Sequence, residues 1–243
     1  MHWIRSALLM IAAFAQVAAG IAPQLFGVEG SVAEAVEPWL TPLVPAGWAF
    51  SIWGLLYLGC FGVAIWHAFR IADPVASRVG WFAILAFSGN TAFALYQPSA
   101  GPDLVSFVIL EIVLVSSFLA AMTNRADPAP QASDRFVTGA LLALAGWVTV
   151  ATPAGLSTAL NYAGVSSLTE PGSLPLLLIL FGWAPVALAL AWVARAWIYI
   201  LPILWGIVGV AMRSIDATQF AIGSLALGTA FIGVTAMAKA RAT

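Results

Sequence analysis

Apolar residues run along this chain in long blocks with little polar alternation inside them, and the charged residues fall between the blocks. A helix needs about 20 apolar residues to cross roughly 30 Å of hydrocarbon. Eight blocks reach that range: about 3–21, 45–67, 79–98, 103–122, 136–157, 174–194, 196–212 and 218–238. The seventh is the shortest, because Arg195 and Arg213 bracket only 17 residues. The pattern predicts an all-α fold, a polytopic membrane helix bundle of about eight transmembrane helices. Arg5 followed by SALLMIAAFAQVAAG also has the form of a secretory signal. The uncharged stretch from Ser6 to Val28 is longer than such a signal requires, so the first block is expected to remain as a helix.

Composition agrees: 62% of the 243 residues are hydrophobic and 8% charged, where a soluble domain has about 25% charged. Net charge is −1 with no basic or acidic tail, so nothing points to a nucleic-acid partner and no such partner is expected beside the lipid bilayer. The lone Cys60 excludes an intramolecular disulfide and a cysteine-based metal cluster. With the N-terminus inside, Arg5, Arg70, Arg78, Arg125, Arg135, Arg195, Lys239 and Arg241 all fall at inner ends, and only Arg213 lies outside. That eight-to-one split follows the positive-inside rule and supports the span count independently. It predicts a multi-pass protein of a cell membrane, a bacterial inner membrane, with both termini cytoplasmic.

The outer loop 22–44 carries Glu29, Glu34 and Glu37, then PWLTPLVP. Its prolines fix φ and disfavour helix before them, so this segment is expected to lie as a rigid extended strip across the mouth of the bundle. No two glycines stand four apart, so the GxxxG pairing motif is absent and the oligomeric state, a homodimer included, is left open.

Side chains within the blocks suggest what faces inward. In the second block Trp48 and Trp66 are eighteen residues apart, five turns and about 27 Å, on one face. They are placed as two interface anchors. Phe50, Trp53, Tyr57 and Phe61 share the opposite face, and the indole N–H and hydroxyl among them need partners below headgroup level. That face should turn inward, as packed core or as the wall of a ligand cavity. In the third block Ala83, Ala86, Phe87, Asn90, Ala94 and Gln97 form a stripe with Phe93 at its edge. In the fourth, Glu111 sits at mid-span with no basic residue at its depth. A carboxylate there costs about 2.5–3.5 kcal/mol on insertion scales, so Glu111 is either a hydrogen-bonded structural group or a ligand or proton site.

Pro45, Gly47, Trp48, Phe50, Trp53, Leu56, Tyr57 and Gly59 follow the order that resembles helix 2 of the TspO/MBR family, the tryptophan-rich sensory proteins related to the mitochondrial translocator protein. Here Ala46 replaces a second proline, and Phe50 and Trp53 are one residue closer than in that pattern. Asn90 with Phe93 is similar to the family's Asn-x-x-Trp, and Trp147 with Ala151 to its Trp-x-x-x-Ala, with Gly155 in place of an asparagine. The resemblance covers the first five helices and leaves the last three without counterpart. It implies residues 1–160 as a five-helix core and 161–243 as three added helices in one membrane unit. It also implies a hydrophobic ligand, a porphyrin, haem-like or sterol-like molecule, held under the loop between helices 1 and 2. Trp39 and Pro42 would form the lid, and Trp53, Tyr57, Asn90, Phe93, Trp147 and Ala151 would line the cavity. Phe50 and Glu111 join this candidate set from the residue reading above.

Three functions are carried forward. One is a binding or sensor protein for a flat hydrophobic ligand. Another is a transporter of a small hydrophobic or anionic solute, proton-coupled through Glu111. The third is an enzyme, which the residues support least. His2 and His67 cannot build a histidine-rich metal site, no Ser/His/Asp or phosphate-loop pattern appears, and no residue is assigned a catalytic, metal or cofactor role.

Overall fold

Each apolar block folds as a helix in the computed structural model, which describes residues 2–26, 31–127, 131–214 and 216–241. Helix α1 is His2–Phe26, α2 Val32–Val36, α3 Ile52–Phe69, α4 Pro74–Ala100, α5 Leu104–Arg125, α6 Ala132–Tyr162, α7 Leu174–Ala194, α8 Trp197–Arg213 and α9 Thr218–Ala240. No strand occurs among the described residues. Among the described residues seven helices are long and apolar enough to cross a membrane, and α8 is a shorter apolar helix of 17 residues. Glu29 lies outside the described residues.

Local chemistry sets the ends. Asp73 caps α4, accepting from the N–H groups of Val75 and Ala76 at 2.7 and 2.9 Å, with Pro74 in the first helical position. Asp103 caps α5 through the Ser106 N–H at 2.9 Å. Ser31 and Glu34 form a reciprocal capping box on α2. Between α7 and α8 the chain reverses through Arg195, at φ +47 the only described non-glycine residue with a left-handed backbone.

The helices form two layers. Helix α1 packs on α3 and α4, α4 on α5, α5 on α6, and α6 back on α3, which closes a five-membered ring. Helices α7, α8 and α9 form the second layer on the far side of α6, with α8 seated directly on it. Lipid tails are as apolar as leucine, so close packing and polar bonds must hold such helices together. Glycines supply the close approaches. A Cβ on Gly206 of α8 would lie 2.7 Å from the Val150 side chain of α6, and one on Gly89 of α4 would lie 2.7 Å from Val113 of α5.

A polar network ties the ring together at the end that carries Arg5, Arg70 and Arg125, called here the basic end. The buried Arg5 of α1 donates from Nε to Nε2 of the fully buried His67 at 3.0 Å, and from Nη2 to the Ile71 carbonyl at 3.0 Å. Gly80 of α4 makes room for that imidazole, since a Cβ there would lie 2.5 Å from Nε2. Beside it, Asp134 of α6 accepts from Trp66 Nε1 at 2.9 Å and Arg70 Nη1 at 3.1 Å.

Two expectations change, those for Trp66 and for the PWLTPLVP segment. Trp66 stands at one end of its span as predicted, but it is 7% exposed and bonded to Asp134, so it is a buried strut and not a lipid anchor. Trp48 is 44% exposed and meets Trp205 of α8 edge-on at 4.9 Å. The PWLTPLVP segment opens with a 3₁₀ turn at Glu37–Trp39, with Pro38 in its first turn, and bends again at Pro42 and Leu43. Proline's φ suits the start of a helical turn as well as extended chain.

Candidate functional site

Four of the predicted residues converge on one aromatic wall. One helical turn apart on α3, Trp53 and Tyr57 stack with centroids 5.3 Å apart and planes 29° apart. From α6, Trp147 presents its edge to both Trp53 at 6.3 Å and Phe50 at 5.7 Å. Trp147 is 1% exposed, and its Nε1 has no hydrogen-bond partner among the described residues. Trp53 and Tyr57 are half-buried and Phe50 is exposed, so part of each ring remains accessible. One turn beyond Trp147, Ala151 is half-buried against the main core.

Asn90 is held on the α1 side of the ring. Its Nδ2 donates to Oε1 of Gln16 at 2.9 Å, and both residues are buried. Gln16 Nε2 has no partner in that arrangement. One turn along α1, Gly20 faces the Tyr57 hydroxyl, which a Cβ at that glycine would approach to 3.3 Å. Gln16 was not among the residues singled out from the sequence. The rule that drew attention to Asn90, an amide in the middle of an apolar span, applies equally to it. Phe93 is half-buried against the core. Glu111 is on the α5–α6 seam, where its Oε1 accepts from the Thr152 hydroxyl at 2.7 Å. No basic side chain among the described residues pairs with it.

Trp39 and Pro42 stand apart from the wall, in the lid segment. Trp39 meets Tyr162 edge-on at 5.1 Å, and its carbonyl accepts from Asn161 Nδ2 at 3.1 Å. Pro42 is buried, and its carbonyl accepts from the Ser214 hydroxyl at 3.4 Å. The lid is thereby fastened by α6 on one side and by α8 on the other. Helix α8 contributes most of the hold: Gly209 O accepts from Ala46 N at 3.0 Å, Trp205 Nε1 donates to Ala49 O at 2.8 Å, and Arg213 Nη1 reaches Pro45 O at 3.5 Å. Gly209 permits that contact, because a Cβ there would lie 2.9 Å from Ala49 and 3.0 Å from Pro45.

Two cavities stand out. One, of about 60 Å³, lies between α6 and the second layer, lined by Thr149, Val150, Pro153, Trp183 and Phe231 among others. The other, of about 310 Å³, lies at the lid end between the lid and the α8–α9 connection, and Pro42 is among its lining residues. Neither borders the aromatic wall.

The family model described as TSPO-like protein matches residues 2–238. The chain belongs to the TSPO-like family. No curated protein and no solved structure matches it. The family match runs through α7, α8 and α9, so the helices that the motif resemblance left without counterpart fall within the TSPO-like match. TSPO-like membership and the spanning helices make this a membrane-embedded protein of TspO type.

Proposed function

We propose that this TSPO-like protein binds a hydrophobic ligand, a tetrapyrrole or sterol-like molecule, between the helices of the ring, and acts as a membrane receptor or sensor for it. The observation that carries this reading is the Trp147 indole: a buried N–H donor without a partner, edge-on to a stacked Trp53–Tyr57 pair. An unsatisfied polar group in hydrocarbon surroundings is costly, and a ligand acceptor placed against the wall would satisfy it. The rings supply a flat apolar face, and the Asn90–Gln16 amide pair supplies a polar edge. Room for a tetrapyrrole requires the ring helices to part beside Trp53 and Tyr57, whose faces are already partly accessible. Phe93 and Ala151 would border the bound ligand, and Trp39 and Pro42 would cover it.

The test is a titration of purified protein with protoporphyrin, followed by the shift of the porphyrin's own absorption band and by tryptophan fluorescence. Saturable binding is expected, weakened about tenfold or more in Trp53→Ala, the order expected for losing a buried aromatic contact. A wild-type protein that leaves the spectrum unchanged, or a variant that binds equally well, would refute the assignment.

A second reading, a proton-coupled transporter, is favoured by Glu111, a carboxyl within a spanning helix held by one threonine hydroxyl. Uptake into liposomes should then be driven by a pH gradient and abolished by Glu111→Gln. Uptake that survives that substitution removes Glu111 from any transport mechanism.

A further inference from the structure

The lid-end cavity is built from parts that the aromatic wall does not use. Its walls are Leu40, Thr41 and Pro42 of the lid, Thr169 and Pro171 before α7, and Arg213, Ser214, Asp216 and Ala217 where α8 turns into α9. At about 310 Å³ it falls at the small end of the range for ligand clefts. Two charges of opposite sign face it, and neither makes an ion pair with a described residue. Elsewhere in the chain the contrast is plain: Arg70 touches Asp73, Asp127 and Asp134 together. Arg213 makes one long contact to the Pro45 carbonyl and keeps most of its five N–H donors free.

We propose that this cavity is a second binding site, for a small zwitterion whose anionic group pairs with Arg213 and whose ammonium pairs with Asp216. The charge pattern selects for that class. A simple anion would face the Asp216 carboxylate, and a simple cation would face the Arg213 guanidinium. A molecule carrying both, a few bonds apart, meets two charge-assisted contacts at once. The Thr169 hydroxyl donates to the Ser166 carbonyl and the Thr41 hydroxyl makes one hydrogen bond with that of Ser157, in which either is the donor, so each threonine oxygen keeps a lone pair for an ammonium. Leu40, Pro42, Pro171 and Ala217 offer apolar surface to the short carbon linker. Thr169 and Pro171 stand just before α7, a helix long and apolar enough to span, so the site falls where that helix would leave the hydrocarbon, at phospholipid headgroup level. The occupant is therefore of phosphoethanolamine type, as a lipid headgroup or as a free solute. Arg213 and Ser214 also bond the lid carbonyls of Pro45 and Pro42, so occupancy braces the lid from outside the ring.

The experiment uses the full chain in detergent, with phosphoethanolamine, ethanolamine and inorganic phosphate as separate probes, read by thermal shift and calorimetry. Phosphoethanolamine is expected to bind saturably, and each half-molecule to bind about tenfold more weakly or worse, the order expected for losing one bond to a charged group. Arg213→Gln and Asp216→Asn should each produce a similar loss with unchanged circular dichroism, and Asp216→Asn, which removes no bond to the lid among the described residues, should also leave the porphyrin titration unchanged. Nanodiscs separate the two sources. Stabilisation by phosphatidylethanolamine over phosphatidylglycerol, lost in both variants, identifies the lipid headgroup. Phosphoethanolamine binding that persists in phosphatidylglycerol discs identifies the solute. No binding of phosphoethanolamine, equal binding of phosphate alone, or binding untouched by both substitutions overturns the site. The porphyrin titration of the wild-type protein and of Asp216→Asn reads the aromatic wall and not this charge pair, so failure here does not imply failure there.

Discussion

Gly146→Ala is expected to force α8 off α6 and to destabilise the folded bundle by about 3 kcal/mol or more. A Cβ on Gly146 would lie 2.0 Å from the backbone carbonyl oxygen of Tyr199 and 3.0 Å from its carbon. Both are main-chain atoms in the first turns of α8, so no rotamer change relieves the clash and the helix must translate. Translation would break the 2.8 Å contact between the Tyr199 and Thr149 hydroxyls and move Tyr199 away from Phe118, which it meets edge-on at 5.9 Å. It would also draw Trp205 and Gly209 away from the lid segment that they hold. Gly233→Ala on α9 is the control, because nothing lies within 4 Å of its added methyl and its effect should stay within about 0.5 kcal/mol. Thermal unfolding of the two variants side by side checks this. Equal melting would mean that the α6–α8 seam tolerates an added methyl.

Such a seam could not be read from the sequence, although the helices themselves could. Apolar blocks report how long a span is, and the predicted limits of α7, α8 and α9 lie within a few residues of the observed ones. The reading failed where a polar residue is satisfied inside the protein. The fifth apolar block spans about 136–157, yet α6 runs from Ala132 to Tyr162, about 46 Å in all. Ser157 is bonded to Thr41 and Asn161 to the Trp39 carbonyl, so those polar groups serve to hold the lid. Hydropathy counts them against a helix because it cannot see their partners.

The candidate site shows the same division. Helical spacing alone put Trp53 and Tyr57 on one face and Asn90 and Gln97 on one stripe, because a turn of 3.6 residues is a local property. That Trp147 would meet Trp53 across the ring was implied only by family resemblance. That Gln16 would receive Asn90, or that α8 would grip the lid, depends on helix-to-helix register, which no single span encodes. The bonds from α6 and α8 to the lid connect the two layers physically. In this TSPO-like chain the second layer therefore helps hold the segment before α3 in place.

Asp134→Ala should have an effect as large as that of Gly146→Ala, at the opposite end of the bundle. Asp134 is buried and serves three donors: Trp66 Nε1 at 2.9 Å, Arg70 Nη1 at 3.1 Å and the Gln131 N–H at 2.6 Å. Truncation leaves the Trp66 indole without its acceptor and Arg70 with fewer carboxylates, and breaking a buried pair in this way costs about 3 kcal/mol or more. Asp134→Asn keeps an oxygen for Trp66 and should lie between the two. Arg70→Ala combined with Asp134→Ala should cost less than the sum of the single changes, because both remove the same pair. Acid should reach the same cluster through Asp73. Burial pulls that carboxyl upward, but the Arg70 hydrogen bond and the N–H groups of Ala76 and Val75 outweigh it and hold the group below the ordinary carboxylate range. A group lowered on folding stabilises the protein above its unfolded value, and that contribution fades as pH falls toward the folded one. Melting temperature should therefore drop on acidification below the usual carboxylate range, and Asp73→Asn should flatten that limb while lowering the plateau at neutral pH. A limb of unchanged steepness in Asp73→Asn would assign acid sensitivity to other carboxylates.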